Sequence, residues 1–133
     1  MNAVKHISTY INRTPKDVYA FASKPENLPS WAAGLARSEV KKDGDAWVAE
    51  APFGKARIRF AEANEFGVMD HDVELDSGVV VHNPMRVVPN GNGSELIFTL
   101  LQQPGVSEDQ FADDAQAVSK DLRALKELLE GGS

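Results

Sequence analysis

The chain has 133 residues, enough for one domain that buries about two thirds of the surface its unfolded form exposes. With 42% hydrophobic and 26% charged residues, no apolar run near the roughly 20 residues that span a bilayer and no signal-peptide pattern, it reads as a globular protein of the cytoplasm without a membrane span. A formal net charge of -6 with no basic stripe argues against nucleic acid, and the absence of cysteine excludes disulfides, thiolate catalysis, iron–sulfur clusters and cysteine-based zinc sites.

Residues 3 to 12 include His6, Ile7, Ser8, Thr9, Tyr10 and Ile11, a β-branched and aromatic stretch that predicts a first strand. A helix start follows. Thr14 suits the N-cap, Pro15 the first helical position and Asp17 the positive end of the dipole, while Val18, Phe21 and Ala22 supply an apolar side. Pro25 and Pro29 break what comes next, so the segment through Trp31 predicts at most a second short helix.

From Leu35 to Gln102 turn signals recur at strand-length intervals: Lys42-Asp43-Gly44, Pro52-Phe53-Gly54, Asn64-Glu65-Phe66-Gly67, Asp76-Ser77-Gly78 and Asn90-Gly91-Asn92-Gly93. These five turns delimit six strands, and with the first strand they predict a seven-stranded antiparallel meander in the order β-α-α-β6-α. The last quarter predicts one long helix, with Ser107 as N-cap, Gln110 as its capping-box partner and Gly131-Gly132 as the stop. Phe111, Ala115, Val118, Leu122, Leu125 and Leu129 alternate at spacings of four and three, so one stripe of this helix must lie against a broad apolar surface. The final Gly-Gly-Ser reads as frayed. An α+β chain of one domain, spanning residues 1 to 133, is therefore expected, with a curled sheet closed by the helix around a cavity.

Several stretches carry a family likeness: Pro25-Glu26-Asn27-Leu28-Pro29 to Trp31, Asn64 through His71, Pro84-Met85-Arg86-Val87, Gly93 through Leu100, and Asp121-Leu122 to Leu125-Lys126. Together they resemble bacterial members of the START-like helix-grip superfamily, also called SRPBCC or polyketide cyclase/dehydrase-like. The resemblance spans nearly the whole chain. It implies a seven-stranded sheet gripping the C-terminal helix, two short helices closing one end, and an apolar cavity between. It implies little about chemistry, because the superfamily holds lipid and hormone binders, cyclases and co-chaperone domains on one scaffold.

Strand parity sorts the candidate site residues. After the Gly67 turn, Met69, His71, Val73 and Leu75 share the inward face and Asp70, Asp72 and Glu74 the outward one. His71 then has three readings: a neutral, hydrogen-bonded core histidine, which is the commonest fate of such a residue; a hydrogen-bond partner for a ligand; or a general acid/base and hence the one catalytic candidate. A three-residue Asp76-Ser77-Gly78 loop sets Asp72 opposite His82, as a solvated pair, and His71 opposite Asn83; a two-residue loop would instead bring His71 opposite His82. Parity separates His71 from the flanking carboxylates, so no metal is expected. Arg57 and Arg59 alternate with Ala56, Ile58 and Phe60 and point to solvent; Arg86 follows Met85 outward unless Pro84 creates a bulge. Trp31 falls in the segment that lids the cavity mouth in the resembled superfamily, and both Trp31 and Trp47 equally suit core packing. The expected cavity wall comprises Trp31, Trp47, Ile58, Phe60, Met69, His71, Val73, Met85, Phe98, Phe111, Val118 and Leu122.

No nucleophile motif, phosphate loop, dinucleotide fingerprint or inward carboxylate pair is present, and no cofactor is expected. Three functions fit: a protein, monomeric or homodimeric, that binds a hydrophobic small molecule of polyketide, lipid or quinone type; a cyclase or dehydratase with His71 as proton shuttle; or a protein-interaction module of co-chaperone type. An open cavity would favour the first two.

Overall fold

The computed structural model describes residues 1–36, 39–51 and 54–131. The expected turn at Pro52-Phe53 and the end at Gly132-Ser133 lie outside the described residues. The β-branched N-terminal run forms strand β1 (Val4–Ile11). Thr14 caps helix α1 (Pro15–Ala22), its hydroxyl accepting the Asp17 N–H at 3.2 Å, and Pro15 fills the first helical position, where no N–H is needed. Pro25 begins a 3-10 turn (Pro25–Asn27) and Pro29 lies in the first turn of α2 (Leu28–Trp31), so each proline opens a short helix as well as ending what precedes it.

Strands β2 (Lys41–Asp43), β3 (Ala46–Ala51), β4 (Gly54–Phe60), β5 (His71–Leu75), β6 (Val80–Asn83), β7 (Met85–Asn90) and β8 (Gly93–Leu101) follow, all antiparallel. The helix-grip architecture is present, but the single seven-stranded meander resolves into eight strands in two hydrogen-bonded groups, β1-β8-β7 and β2-β3-β4-β5-β6. The difference lies at Pro84. Proline has no N–H to give a ladder, and the strand expected from Val79 onward breaks there into β6, which pairs with β5, and β7, which pairs with β8. Where the hairpin loops are described, turn chemistry sets the register. Asp76-Ser77-Gly78 is a three-residue loop with Gly78 at φ 89, and it places Asp72 opposite His82 and His71 opposite Asn83.

The two groups are joined just before β5. The Met69 N–H donates to the Met85 carbonyl at 2.8 Å, the Val87 N–H to the Gly67 carbonyl at 3.0 Å, and Gly67 sits at φ 73 where an added Cβ would strike the Val87 carbonyl. Asn64 shapes the approach by accepting the N–H groups of Phe66 and Val68 and donating to the Val68 carbonyl. Asp70 completes the seam: it accepts the Met85 N–H at 2.9 Å and two bonds from Arg86, at 3.1 and 2.8 Å. Arg86 thus points outward, and its guanidinium holds the Asp70 carboxyl below the usual carboxylate range. Asp70→Ala leaves the Met85 N–H without its acceptor and should cost about 2–3 kcal/mol in urea denaturation, with Asp70→Asn losing less because it retains an acceptor. An unchanged midpoint in Asp70→Ala would show that the seam is held by the backbone alone.

Helix α3 (Glu108–Gly131) lies across the sheet. Ser107 accepts the Gln110 N–H at 3.1 Å, but the Gln110 side chain turns forward to Asp114 at 2.8 Å, so only half of the expected capping box forms. Phe111, Leu122, Leu125 and Leu129 are buried, with Ala115 and Val118 packed partly against the core. The far end is tied to the β1–α1 turn: Arg13 donates to the Leu129 carbonyl at 2.7 Å, and Lys126 bridges the Tyr10 carbonyl and Glu130. No described helix is long and apolar enough to cross a membrane.

Candidate functional site

Beyond the Thr99 N–H, which donates to the Pro84 carbonyl, β8 and β6 part company, and β6 pairs only with β5. The gap under α3 is a cavity of about 310 Å³, near the lower end of the roughly 300–1,000 Å³ typical of small-molecule sites. One wall is Val73, Leu75, Val81 and Asn83 from β5 and β6; the second is Phe98, Leu100 and Leu101 from β8 with Gln103; the third is Asp114, Ala117, Val118, Asp121 and Leu122 from α3. Leu28, Trp31 and Ala32 with the turn at Gly34 and Leu35 close one side.

His71 is set into this space at the start of β5, only 5% exposed. Its Nδ1 lies 3.1 Å from the Met69 carbonyl oxygen. A carbonyl only accepts, so the proton is assigned to Nδ1, and Nε2 is left as an acceptor. The imidazole stacks on Phe60, with centroids 4.9 Å apart and planes at 24°, and meets the Phe98 ring edgewise at 6.1 Å. Burial pushes its pKa below the ordinary histidine value, outweighing the Met69 hydrogen bond and the fields of Asp70 and Asp72. The ring is therefore neutral at neutral pH, able to hold or take up one proton at Nε2.

Asp121 is a further ionisable group on the wall, beside His71 and Asp114. Its Oδ2 accepts the Gly34 N–H at 3.3 Å, with the Ala33 backbone as a further donor, so the carboxyl links α3 to the turn after α2. Desolvation still prevails and pushes its pKa up to about 6. Lys120 acts on it only through its field, and no described side-chain cation forms an ion pair with it. Trp31 is 5% exposed, with its Nε1–H buried and unpartnered among the described residues.

Of the residues expected on the wall, Trp31, His71, Val73, Phe98, Val118 and Leu122 line the cavity. The other six face inward but pack elsewhere: Ile58, Met69 and Met85 are fully buried in the core, Phe60 backs His71, Trp47 is half-buried opposite Ile58, and Phe111 lies under the Lys5 ammonium. Parity tells which face a side chain occupies, not whether that part of the face is already filled. Sequence reasoning missed Asp114, Ala117 and Asp121, which stand one position before Ala115, Val118 and Leu122 and so form a second line along the same flank of α3. Asn83 and Gln103 were missed as well. His82 and Asp72 pair outside at 2.5 Å, and Arg57 and Arg59 meet Asp43, Asp45 and Glu74 on the outer face. Among the described residues no group of three or more His, Cys, Asp or Glu side chains is placed to hold a metal ion.

The sequence matches the family described as polyketide cyclase / dehydrase and lipid transport over residues 6–130. No curated protein matches it. Among solved structures it is similar to the Aha1 dimer from Colwellia psychrerythraea, at 13% identity and a TM-score of 0.78 with 98% of each chain covered. A START superfamily protein from Mycobacterium smegmatis matches at 11% identity and a TM-score of 0.77 over 100% of both chains. DynU16, a putative protein of the dynemicin biosynthetic locus, matches at 13% identity and a TM-score of 0.74, with 98% of this chain lying on 48% of that one. At these identities the likeness is one of fold.

Proposed function

This chain belongs to the polyketide cyclase / dehydrase and lipid transport family, and we propose that it binds a hydrophobic small molecule, polyketide-, lipid- or quinone-like, in the cavity between sheet and α3. The observation that carries this reading is the open space itself. Val73, Leu75, Val81, Phe98, Leu100 and Val118 would fill such a gap in a purely structural domain, yet about 310 Å³ remains between them. That open volume also favours a ligand over an interaction module without one.

A neutral dye such as N-phenyl-1-naphthylamine tests it. The dye should bind saturably with a rise in emission, and Val118→Trp, which fills the space from the α3 side, should weaken binding by about tenfold or more, equivalent to about 1.4 kcal/mol. Undiminished binding to a Val118→Trp protein that melts like the parent would place the dye elsewhere and sink the proposal.

A second reading is favoured by one feature, the unpartnered Nε2 of a neutral His71. An imidazole fixed by Met69, with its base atom left over, is arranged for general acid/base work as a cyclase or dehydratase requires. His71→Leu separates the two readings. A pure binder loses about one hydrogen bond, roughly 0.5–1.5 kcal/mol of affinity, whereas an enzyme keeps affinity and loses turnover by about a hundredfold or more.

A further inference from the structure

The charge on the cavity wall restricts what can enter. Among the described residues the wall carries two carboxylates, Asp114 and Asp121, and no ammonium or guanidinium. Asp114 is engaged by the Gln110 side chain at 2.8 Å, whereas Asp121 has only backbone donors, Gly34 at 3.3 Å and Ala33. On the outer surface, by comparison, Asp17, Asp43, Asp70, Asp72, Glu74 and Glu130 each meet a basic side chain. An anion kept half-desolvated without a counterion costs stability, and burial drives its pKa up to about 6. Deeper in the cavity His71, 5% exposed, presents a second acceptor in Nε2, since Nδ1 is committed to Met69. Acceptors at both levels and a negative wall oppose any carboxylate, sulfonate or phosphate ligand and suit a donor.

We propose that the ligand is an apolar ring compound bearing a protonated amine, with the ammonium at Asp121 and the ring body against Trp31, Phe98 and the His71 edge. This rests on the binding reading above and narrows it. Asp121 is the anchor: Asp114 lies two helical turns away, about 10 Å along α3, too far for one ammonium to touch both, and contributes only to the field. Trp31, Phe98 and His71 line the same cavity, so a ring body has aromatic partners there.

The test is a matched pair of probes, 2-(1-naphthyl)ethylamine and 1-naphthaleneacetic acid, titrated calorimetrically at neutral pH and low salt against the whole chain. The amine should bind at least about tenfold tighter than the acid, and the preference should shrink with added salt. Asp121→Asn retains an acceptor for the Gly34 N–H and removes a desolvated charge, so it should fold and bring the two probes to within about twofold of each other. Below pH 6 the parent should lose its preference in the same way as Asp121 takes up a proton. Equal affinities, a preference for the acid, or a preference that survives Asp121→Asn would overturn the amine proposal while dye binding left the cavity reading standing. Failure of the dye as well would remove both.

Discussion

Leu125→Asp should abolish the cooperative thermal transition. Leu125 is fully buried on α3, and a carboxylate placed there has neither solvent nor a cation to meet. An unpaired buried charge costs several kcal/mol even after the protein relaxes, and the lost leucine packing adds about 2–5 kcal/mol, against a total stability of roughly 5–15 kcal/mol for a domain of this kind. The position is chosen over Leu122, which is as deeply buried but borders the cavity, where an aspartate has somewhere to turn. Circular dichroism melts should therefore rank the parent first, Leu125→Ala next with a lower midpoint, and Leu125→Asp as unfolded at all temperatures. A cooperative melt for Leu125→Asp within a few degrees of the parent would mean that α3 does not close the core through this stripe.

That stripe was legible because helix periodicity is a local property, repeated often enough in 24 residues to leave one solution. The hairpin at Asp76-Ser77-Gly78 was legible for a different reason. A glycine that must adopt φ 89 fixes the loop length, and loop length fixes which of Asp72 and His71 stands opposite His82. Pro84 carried its signal too, but a proline inside an apolar run is read as a bulge or an edge as readily as a break, and only the pairing of β7 with β8 and of β6 with β5 decides. The cavity wall was half legible. Ile58, Met69 and Met85 have the parity of Val73 and His71, yet Met69 and Met85 sit where the two sheet groups are stitched together and Ile58 is fully buried within β4 between Trp47 and Val73, so no space remains beside them. Asp121 was obscured by its own charge. An aspartate beside an apolar stripe is usually solvated, and nothing local in the sequence announces that Gly34 will come down on it.

His71 and Asp121 should impose opposite pH dependences on stability, and each variant should unmask the other. The folded pKa of His71 lies below the free value of about 6.5, so its neutral form is fully compatible with folding above that pH; as pH falls below 6.5 the unfolded chain takes the proton first and stability is lost. Asp121 runs the other way. Its folded pKa of about 6 is above the ordinary carboxyl value, so the folded state binds the proton first and stability is gained as pH falls through 6 toward 4. In the parent the two slopes oppose each other as pH falls through about 6, above the ordinary carboxyl values at which Asp70 and Glu130, both held low by basic partners, begin to lose their contribution. Asp121→Asn should leave only the histidine slope, a loss of stability as pH falls below about 6.5, while raising stability at neutral pH by about 1 kcal/mol after allowance for the solvent that reaches the carboxyl. His71→Phe keeps the stack against Phe60, forfeits the bond to the Met69 carbonyl, and should become more stable on acidification rather than less. Urea denaturation at a series of pH values reads both slopes directly. Parallel profiles for the two variants would mean that His71 is not held neutral inside the cavity, and the acceptor at Nε2, on which both the binding and the catalytic readings draw, would be lost with it.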